Sequence, residues 1–276
     1  MQITQPIGIF DSGYGGLTIM KEIVKLLPDY DYIYLGDNAR APYGTRSFDS
    51  VYRYTWQCVQ WFFKQNCSLV ILACNTASAK ALRTIQQNDL PKVDSGKRVL
   101  GVIRPTSEVI GNYSDSKAIG ILATSGTVNS QSYPIEIKKF FPGLKVYQQA
   151  CPMWVPLIEN NEYHTKGADF FVKKYINELL AQSSAIDTLL LACTHYPLMM
   201  DKIKEYSPAD ITILSQGEIV AISLKDYLSR HSEMEVKLSQ NAIRHFYTTD
   251  STGDFDSHAR LFYGDQIISK HVDLEA

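Results

Sequence analysis

Leu69-Val70-Ile71-Leu72-Ala73-Cys74-Asn75-Thr76 and Thr188-Leu189-Leu190-Leu191-Ala192-Cys193-Thr194-His195 carry one pattern twice. Each is an apolar strand ending in Ala-Cys, followed by small polar residues and a helical stretch. Nearly continuous apolar runs of this length are what strands buried on both faces look like. The two cysteines lie about 120 residues apart, roughly one domain length. That spacing is too long for a solenoid repeat and suits two similar α/β halves, each contributing one cysteine.

Working outward, further apolar runs predict strands at Ile7–Phe10, Tyr32–Leu35, Leu69–Ala73, Arg98–Ile103, Ala118–Ala123, Lys145–Gln148, Thr188–Ala192 and Ile211–Leu214. Helices are expected over Leu17–Leu27, Ser47–Asn66, Thr76–Gln87, Gly167–Gln182, Met199–Tyr206 and Glu218–Ser229. Pro28 stops the first, because its ring cannot continue a helix. Ser47 opens the second as a capping residue. Strands alternating with helices imply the α/β class, with parallel-rich sheets flanked by helices. The polar stretch Asp89–Lys97 is the expected linker between halves.

The 276 residues carry 27 basic and 29 acidic side chains, for a net charge of −2. Near-neutrality argues against a nucleic-acid partner. No apolar run reaches the roughly 18 residues a membrane span needs, and the opening residues lack a signal-peptide pattern. Five cysteines at wide spacing argue against a disulfide framework and for a reducing cytoplasm. No C-x-x-C pair is present to seed a metal site.

In an open parallel sheet, ligands bind outside the carboxyl ends of the strands. Cys74 and Cys193 both fall there, and each precedes a helix whose N-terminus is expected to lower a thiol pKa. Cys58 and Cys67 read as core, and Cys151 before Pro152 as packing or loop structure. Asp11-Ser12-Gly13-Tyr14-Gly15-Gly16 follows the first strand as a Gly-rich turn. It is neither a dinucleotide fingerprint, since position 18 is Thr, nor a phosphate loop, since no Lys-Ser/Thr follows. Asp11 reads as a carboxylate that steers a base, or as a plain helix cap. The loop from Gly36 to Ser47 and Thr124-Ser125-Gly126-Thr127 offer backbone and hydroxyl donors at two more strand ends. His195, two residues after Cys193, is placed to act as an acid or to tune the thiol.

These residues resemble the glutamate racemases of the aspartate/glutamate racemase family. The resemblance runs through Gly8–Thr18, Tyr34–Gly44, Ala73–Ala77, Thr124–Thr127, Cys151-Pro152 to Glu159, Ala192–Leu198 and Phe246–Asp250. It departs at Asn38 and Ala41, where Thr and Val are more usual. It departs again at Ser215-Gln216-Gly217, where an Asp-containing turn often stands. The resemblance implies two similar domains facing each other across the active site, the first discontinuous, at 1–98 plus 209–276 with the second at 99–208. It implies interconversion of L- and D-glutamate without cofactor or metal, supplying D-glutamate to peptidoglycan, in a homodimer. It implies that Cys74 takes the proton from D-glutamate and Cys193 from L-glutamate, with Asp11 assisting the first and His195 the second. By the same resemblance Asp11, Ser12, Pro42, Tyr43, Gly44, Asn75, Thr76, Thr124 and Thr194 form the substrate site, with Asp37 and Glu159 as helpers. Racemisation of aspartate, a cysteine hydrolase using His195 as base, and a non-catalytic amino-acid-binding protein are the competing readings. The hydrolase needs one nucleophile and leaves the second Ala-Cys unexplained.

Overall fold

The computed structural model describes residues 5–274. Among these residues ten strands form two wholly parallel sheets. In order along the chain they are β1 (Ile7–Asp11), β2 (Tyr32–Gly36), β3 (Leu69–Leu72), β4 (Arg98–Gly101), β5 (Ala118–Ala123), β6 (Lys145–Ala150), β7 (Thr188–Ala192), β8 (Thr212–Leu214), β9 (Arg244–Thr248) and β10 (Ser269–His271). The first sheet runs β10-β9-β2-β1-β3-β4 and the second β6-β5-β7-β8. Four strands of the first, β2-β1-β3-β4, repeat the order of the second. Equivalent positions follow: β1 matches β5, β2 matches β6, and β3 matches β7.

Both faces of each sheet are covered, and the side chains sort by parity as a pleated strand requires. Ile7 and Ile9 of β1 and Leu69 and Ile71 of β3 pack with the helix Leu17–Leu26 and with Leu224 and Phe255. Phe10, Val70 and Leu72 point the other way, onto Val59 and Phe62 of the helix Phe48–Lys64. That helix lies so close that a Cβ on Gly8 would stand 2.6 Å from the Phe62 ring. In the second sheet Leu122, Leu189 and Leu191 meet Val172, Ile176 and Leu179, while Ile119, Ile121 and Leu190 meet Tyr133 and Ile137.

The eight expected strands are present, with ends moved by up to two residues. The returning strands β9 and β10 are not among those the apolar runs predict. β9 sets a single buried Phe246 among polar and half-buried neighbours, and β10 is Ser-Lys-His at a sheet edge, so neither makes an apolar run. The expected helix Thr76–Gln87 is instead a chain of short segments: Asn75–Lys80, Leu82–Thr84, a π turn at Ile85–Asp89, and Leu90–Val93. Helical structure thus runs into the expected Asp89–Lys97 linker, because Pro91 is tolerated in a helix's first turn. The chain then returns as β4 to the first sheet. It crosses to the second only through the helix Ile103–Val109 and the following turn. β8 pairs with β7, so the second sheet reaches Leu214, beyond the sequence boundary at 208/209.

Asp31 ties the returning strand to the first sheet. Its carboxylate accepts from the backbone N–H groups of Asn241 (3.0 Å) and Ile243 (2.8 Å) and from the Asn241 amide (2.7 Å). Burial works to raise its pKa, but the hydrogen bonds outweigh burial and hold the carboxyl below its usual value. A lowered pKa gives stability that is present above the unfolded value of about 3.9 and lost as pH falls through the folded one. Asp31→Asn is therefore expected to lower the urea midpoint at pH 7 and to flatten the loss of stability below about pH 4. An unchanged acid profile would remove Asp31 from this role.

Candidate active site

One pocket collects the carboxyl ends of both sheets. Ser12 arrives from β1, Pro42, Tyr43 and Gly44 from the loop after β2, and Cys74, Asn75 and Thr76 from β3. Thr124 arrives from β5, Glu159 from the helix Trp154–Glu159, and Cys193, Thr194 and His195 from β7. Cys74 and Cys193 therefore occupy equivalent ends of equivalent strands, and both are nearly buried, at 5% and 7% exposure.

Their neighbours differ. Cys74 caps the helix Asn75–Lys80, its sulfur accepting from Ala77 N–H at 3.5 Å. The Ser12 hydroxyl lies 3.4 Å from the same sulfur. The expected lowering of this thiol's pKa does not occur. Burial pushes it up to about 12, the Asp11 charge adds to this, and the Ser12 and Ala77 hydrogen bonds oppose it. A short helix cap is weaker than the loss of water around the sulfur. Cys193 instead faces His195, with Nδ1 4.0 Å from the sulfur. It precedes a 3-10 turn, Tyr196–Met199, rather than a helix.

The other nitrogen of His195 lies 2.9 Å from Glu159 Oε1. Burial alone would lower the pKa of this imidazole, but the Cys193 and Glu159 contacts outweigh it and raise it to about 10. The edge of the ring packs against Phe262, with centroids 5.1 Å apart. Asp11 stands behind the pocket, fully buried, accepting from Gly13 N–H at 2.9 Å and from the Thr194 hydroxyl at 3.5 Å. Burial raises its pKa, with His195 pulling the other way. Its hydrogen bonds therefore run to its own turn and to the Cys193 side, while it touches the Cys74 thiol only through its charge.

Asp37 does not line the pocket. Buried, it accepts from Arg40 Nε at 2.8 Å and 3.0 Å, from Thr249 at 2.9 Å and from the Tyr43 hydroxyl. It holds the loop that carries Pro42, Tyr43 and Gly44. Thr76 and Thr124 hydroxyls meet at 3.0 Å, one from each sheet. Cys151, read from sequence as packing, lines the pocket together with Pro152, Val155 and Pro156. The signal that finds them is the strand-order match, since the chain after β6 is the counterpart of the loop after β2. Cys58 and Cys67 are fully buried away from the pocket, and all five cysteines are free. No helix among the described residues is long and apolar enough to cross a membrane.

Residues 7–221 match the family model described as Asp/Glu/Hydantoin racemase. The chain belongs to this family. It is 37% identical over 261 residues to a glutamate racemase from Sulfurihydrogenibium sp., covering 94% of each chain. It is 36% identical over 273 residues to one from Streptococcus gordonii, covering 98% of this chain and 99% of that one. Its fold superposes on a Bacillus anthracis glutamate racemase with a TM-score of 0.88 at 34% identity, covering 99% of both chains. It superposes equally on the Francisella tularensis glutamate racemase solved with D-glutamate, with a TM-score of 0.87 at 30% identity, covering 99% of this chain and 98% of that one. The family makes the chain an isomerase of the racemase type.

The Glu159–His195 pair gives a direct test of the electrostatics. Glu159→Gln keeps a hydrogen-bonding side chain and removes the charge. The His195 midpoint, followed by NMR of labelled imidazole, is expected to fall from near 10 by about one unit or more. An unmoved midpoint would mean that Glu159 does not hold the proton on His195.

Proposed function

We propose that this racemase interconverts L- and D-glutamate by a two-base mechanism in which Cys74 and Cys193 serve opposite faces of the substrate Cα. The observation that carries the reading is the placement of two thiols, in one pocket, on equivalent strand ends of two matching sheets. Removing a proton from one face and returning one to the other calls for two groups. A mirrored pair of strand ends supplies them without moving a base across the site.

One thiol is ionised and the other protonated in each half-reaction, and the roles exchange with direction. Cys193 takes the proton from L-glutamate and Cys74 delivers one to the far face; the reverse holds from D-glutamate. The raised pKa of Cys74 suits a group that arrives as an acid and holds its proton until the carbanion develops. An imidazolium at 4.0 Å balances negative charge on Cys193 while that sulfur acts as base. The substrate carboxylates are met by hydroxyl and amide donors at Ser12, Asn75, Thr76, Thr124 and Thr194 and by backbone N–H groups near Gly44, with Pro42 and Tyr43 shaping the wall. Such fixed donors in a site shielded from water stabilise developing charge better than solvent does.

The division into lobes at 1–98 plus 209–276 and 99–208, adjusted to strand membership, is part of the same reading. So are a cytoplasmic location, which keeps both thiols reduced, a homodimeric state, and delivery of D-glutamate to peptidoglycan.

The test uses both cysteine variants and both enantiomers in D₂O. Cys74→Ala is expected to lose racemisation by at least about 10³-fold, yet to exchange the Cα proton of L-glutamate through Cys193. Cys193→Ala is expected to show the mirror behaviour with D-glutamate. Retained racemisation in either variant overturns the two-thiol mechanism. A purified wild-type protein that leaves glutamate unchanged overturns the substrate.

A further inference from the structure

Behind Cys74 lies a closed ring of three buried side chains drawn from three parts of the fold. Asn75 follows the catalytic thiol at the end of β3. Tyr133 sits on the helix Ser132–Phe140 of the second sheet. Gln216 stands where the chain leaves β8 for the helix Gly217–Arg230. All three are nearly or fully buried. Asn75 Nδ2 donates to Gln216 Oε1 at 2.7 Å, Gln216 Nε2 donates to the Tyr133 hydroxyl at 2.8 Å, and that hydroxyl donates to Asn75 Oδ1 at 2.6 Å.

A ring of two amides and a hydroxyl closes equally well in the reverse sense, with both amides flipped. The flanking groups decide between the two. Gln216 Nε2 also lies 3.2 Å from the Val102 carbonyl and 2.9 Å from the Thr106 hydroxyl. A carbonyl only accepts, so the nitrogen end of Gln216 must face it; a flipped amide would set two acceptors against each other. With Gln216 fixed, its N–H points at Tyr133, the single hydroxyl proton goes to Asn75 Oδ1, and the Asn75 amide has one orientation. In that orientation one Asn75 N–H and one Oδ1 lone pair are left over, on a residue that lines the pocket beside Cys74.

We propose that Gln216, acting both directly and through Tyr133, is a positioning residue that locks the Asn75 amide so that its spare N–H and lone pair are presented to the substrate in a single orientation. This rests on the glutamate racemase reading of the pocket. It also accounts for the departure at Ser215-Gln216-Gly217: the side chain there does not reach the substrate but holds a residue that does. Because the ring joins the end of β3, the second sheet's helix and the chain's crossing back to the first sheet, it fixes Asn75 relative to both lobes at once.

The test compares Gln216→Glu, Gln216→Met and Tyr133→Phe with wild type in both directions of glutamate racemisation, alongside thermal unfolding of each. Gln216→Glu is nearly isosteric but sets an acceptor against the Val102 carbonyl; Gln216→Met keeps the length and removes both polar ends. Each single variant is expected to raise KM about tenfold, with kcat changed less than about threefold, as expected when binding common to ground and transition states is lost. The double variant Gln216→Met/Tyr133→Phe is expected to be no worse than the worse single, because the two act on one amide. An unchanged KM in folded variants, or multiplicative losses in the double, overturns the assignment while leaving the reaction intact. If Gln216→Met unfolds, the Tyr133→Phe comparison decides by the same KM criterion. A wild type that neither racemises nor binds glutamate overturns the proposed reaction itself, and the lock with it.

Discussion

The pocket exists because two sheets bring their carboxyl ends into near contact, and Gly15 is where that nearness is set. A Cβ at this position would stand 2.2 Å from Thr194 Oγ1 and 2.4 Å from His195 Nδ1. No side chain larger than hydrogen fits without driving the Cys193 strand end away from the β1 turn. The contact is secured just beyond it, where the Thr18 hydroxyl reaches both the Gly15 and Thr194 carbonyls, at 2.8 Å and 2.9 Å. On the far side the loop after β2 closes in the same way, Gly44 lying against Thr124. The hydrogen bond between Asp11 and Thr194 and the meeting of Thr76 with Thr124 are possible only at this separation.

Nearness brings dehydration, and dehydration governs the chemistry of every ionisable group there. Burial is the largest influence on Asp11, Cys74 and His195 alike, yet the outcomes differ with the company each keeps. Cys74, with only a hydroxyl and one N–H beside it and a carboxylate nearby, is held as a thiol. His195, between a sulfur and the Glu159 carboxylate, is held as an imidazolium despite its burial. Buried charge survives where it is paired and hydrogen-bonded, and neutralises where it is not. A near-neutral chain can therefore carry a strongly polarised site, which is why overall charge says nothing about an amino-acid substrate.

Much of this was legible in the residues themselves. The repeated Ala-Cys at the end of an apolar strand showed both the α/β class and the two thiols, because burial on both faces forces an unbroken apolar run. What could not be read were features set by partners remote in sequence. β9 and β10 owe their pairing to neighbours already in place rather than to an apolar pattern of their own. The Cys74 pKa depends on how tightly water is excluded, which no local motif encodes. Cys151 reads as packing until strand order shows that its loop mirrors the one carrying Tyr43. The ring of Asn75, Tyr133 and Gln216 joins residues between 58 and 141 positions apart, and nothing in their local sequence announces it.

The two lobes share a frame and differ in chemistry, and that difference is a consequence of small substitutions at matched positions. At the end of β1 the chain reads Asp11-Ser12-Gly13; just after the equivalent β5 it reads Thr124-Ser125-Gly126. After β3, Cys74 is followed by Asn75 and Thr76; after β7, Cys193 is followed by Thr194 and His195. The symmetric frame places a sulfur at each of two matched strand ends. The unmatched residues give one sulfur a hydroxyl partner and the other an imidazole backed by Glu159. A fully symmetric site would surround both sulfurs with the same groups. Asymmetric neighbours on a symmetric frame give the two sulfurs different company: a hydroxyl and one backbone N–H at Cys74, an imidazolium at Cys193.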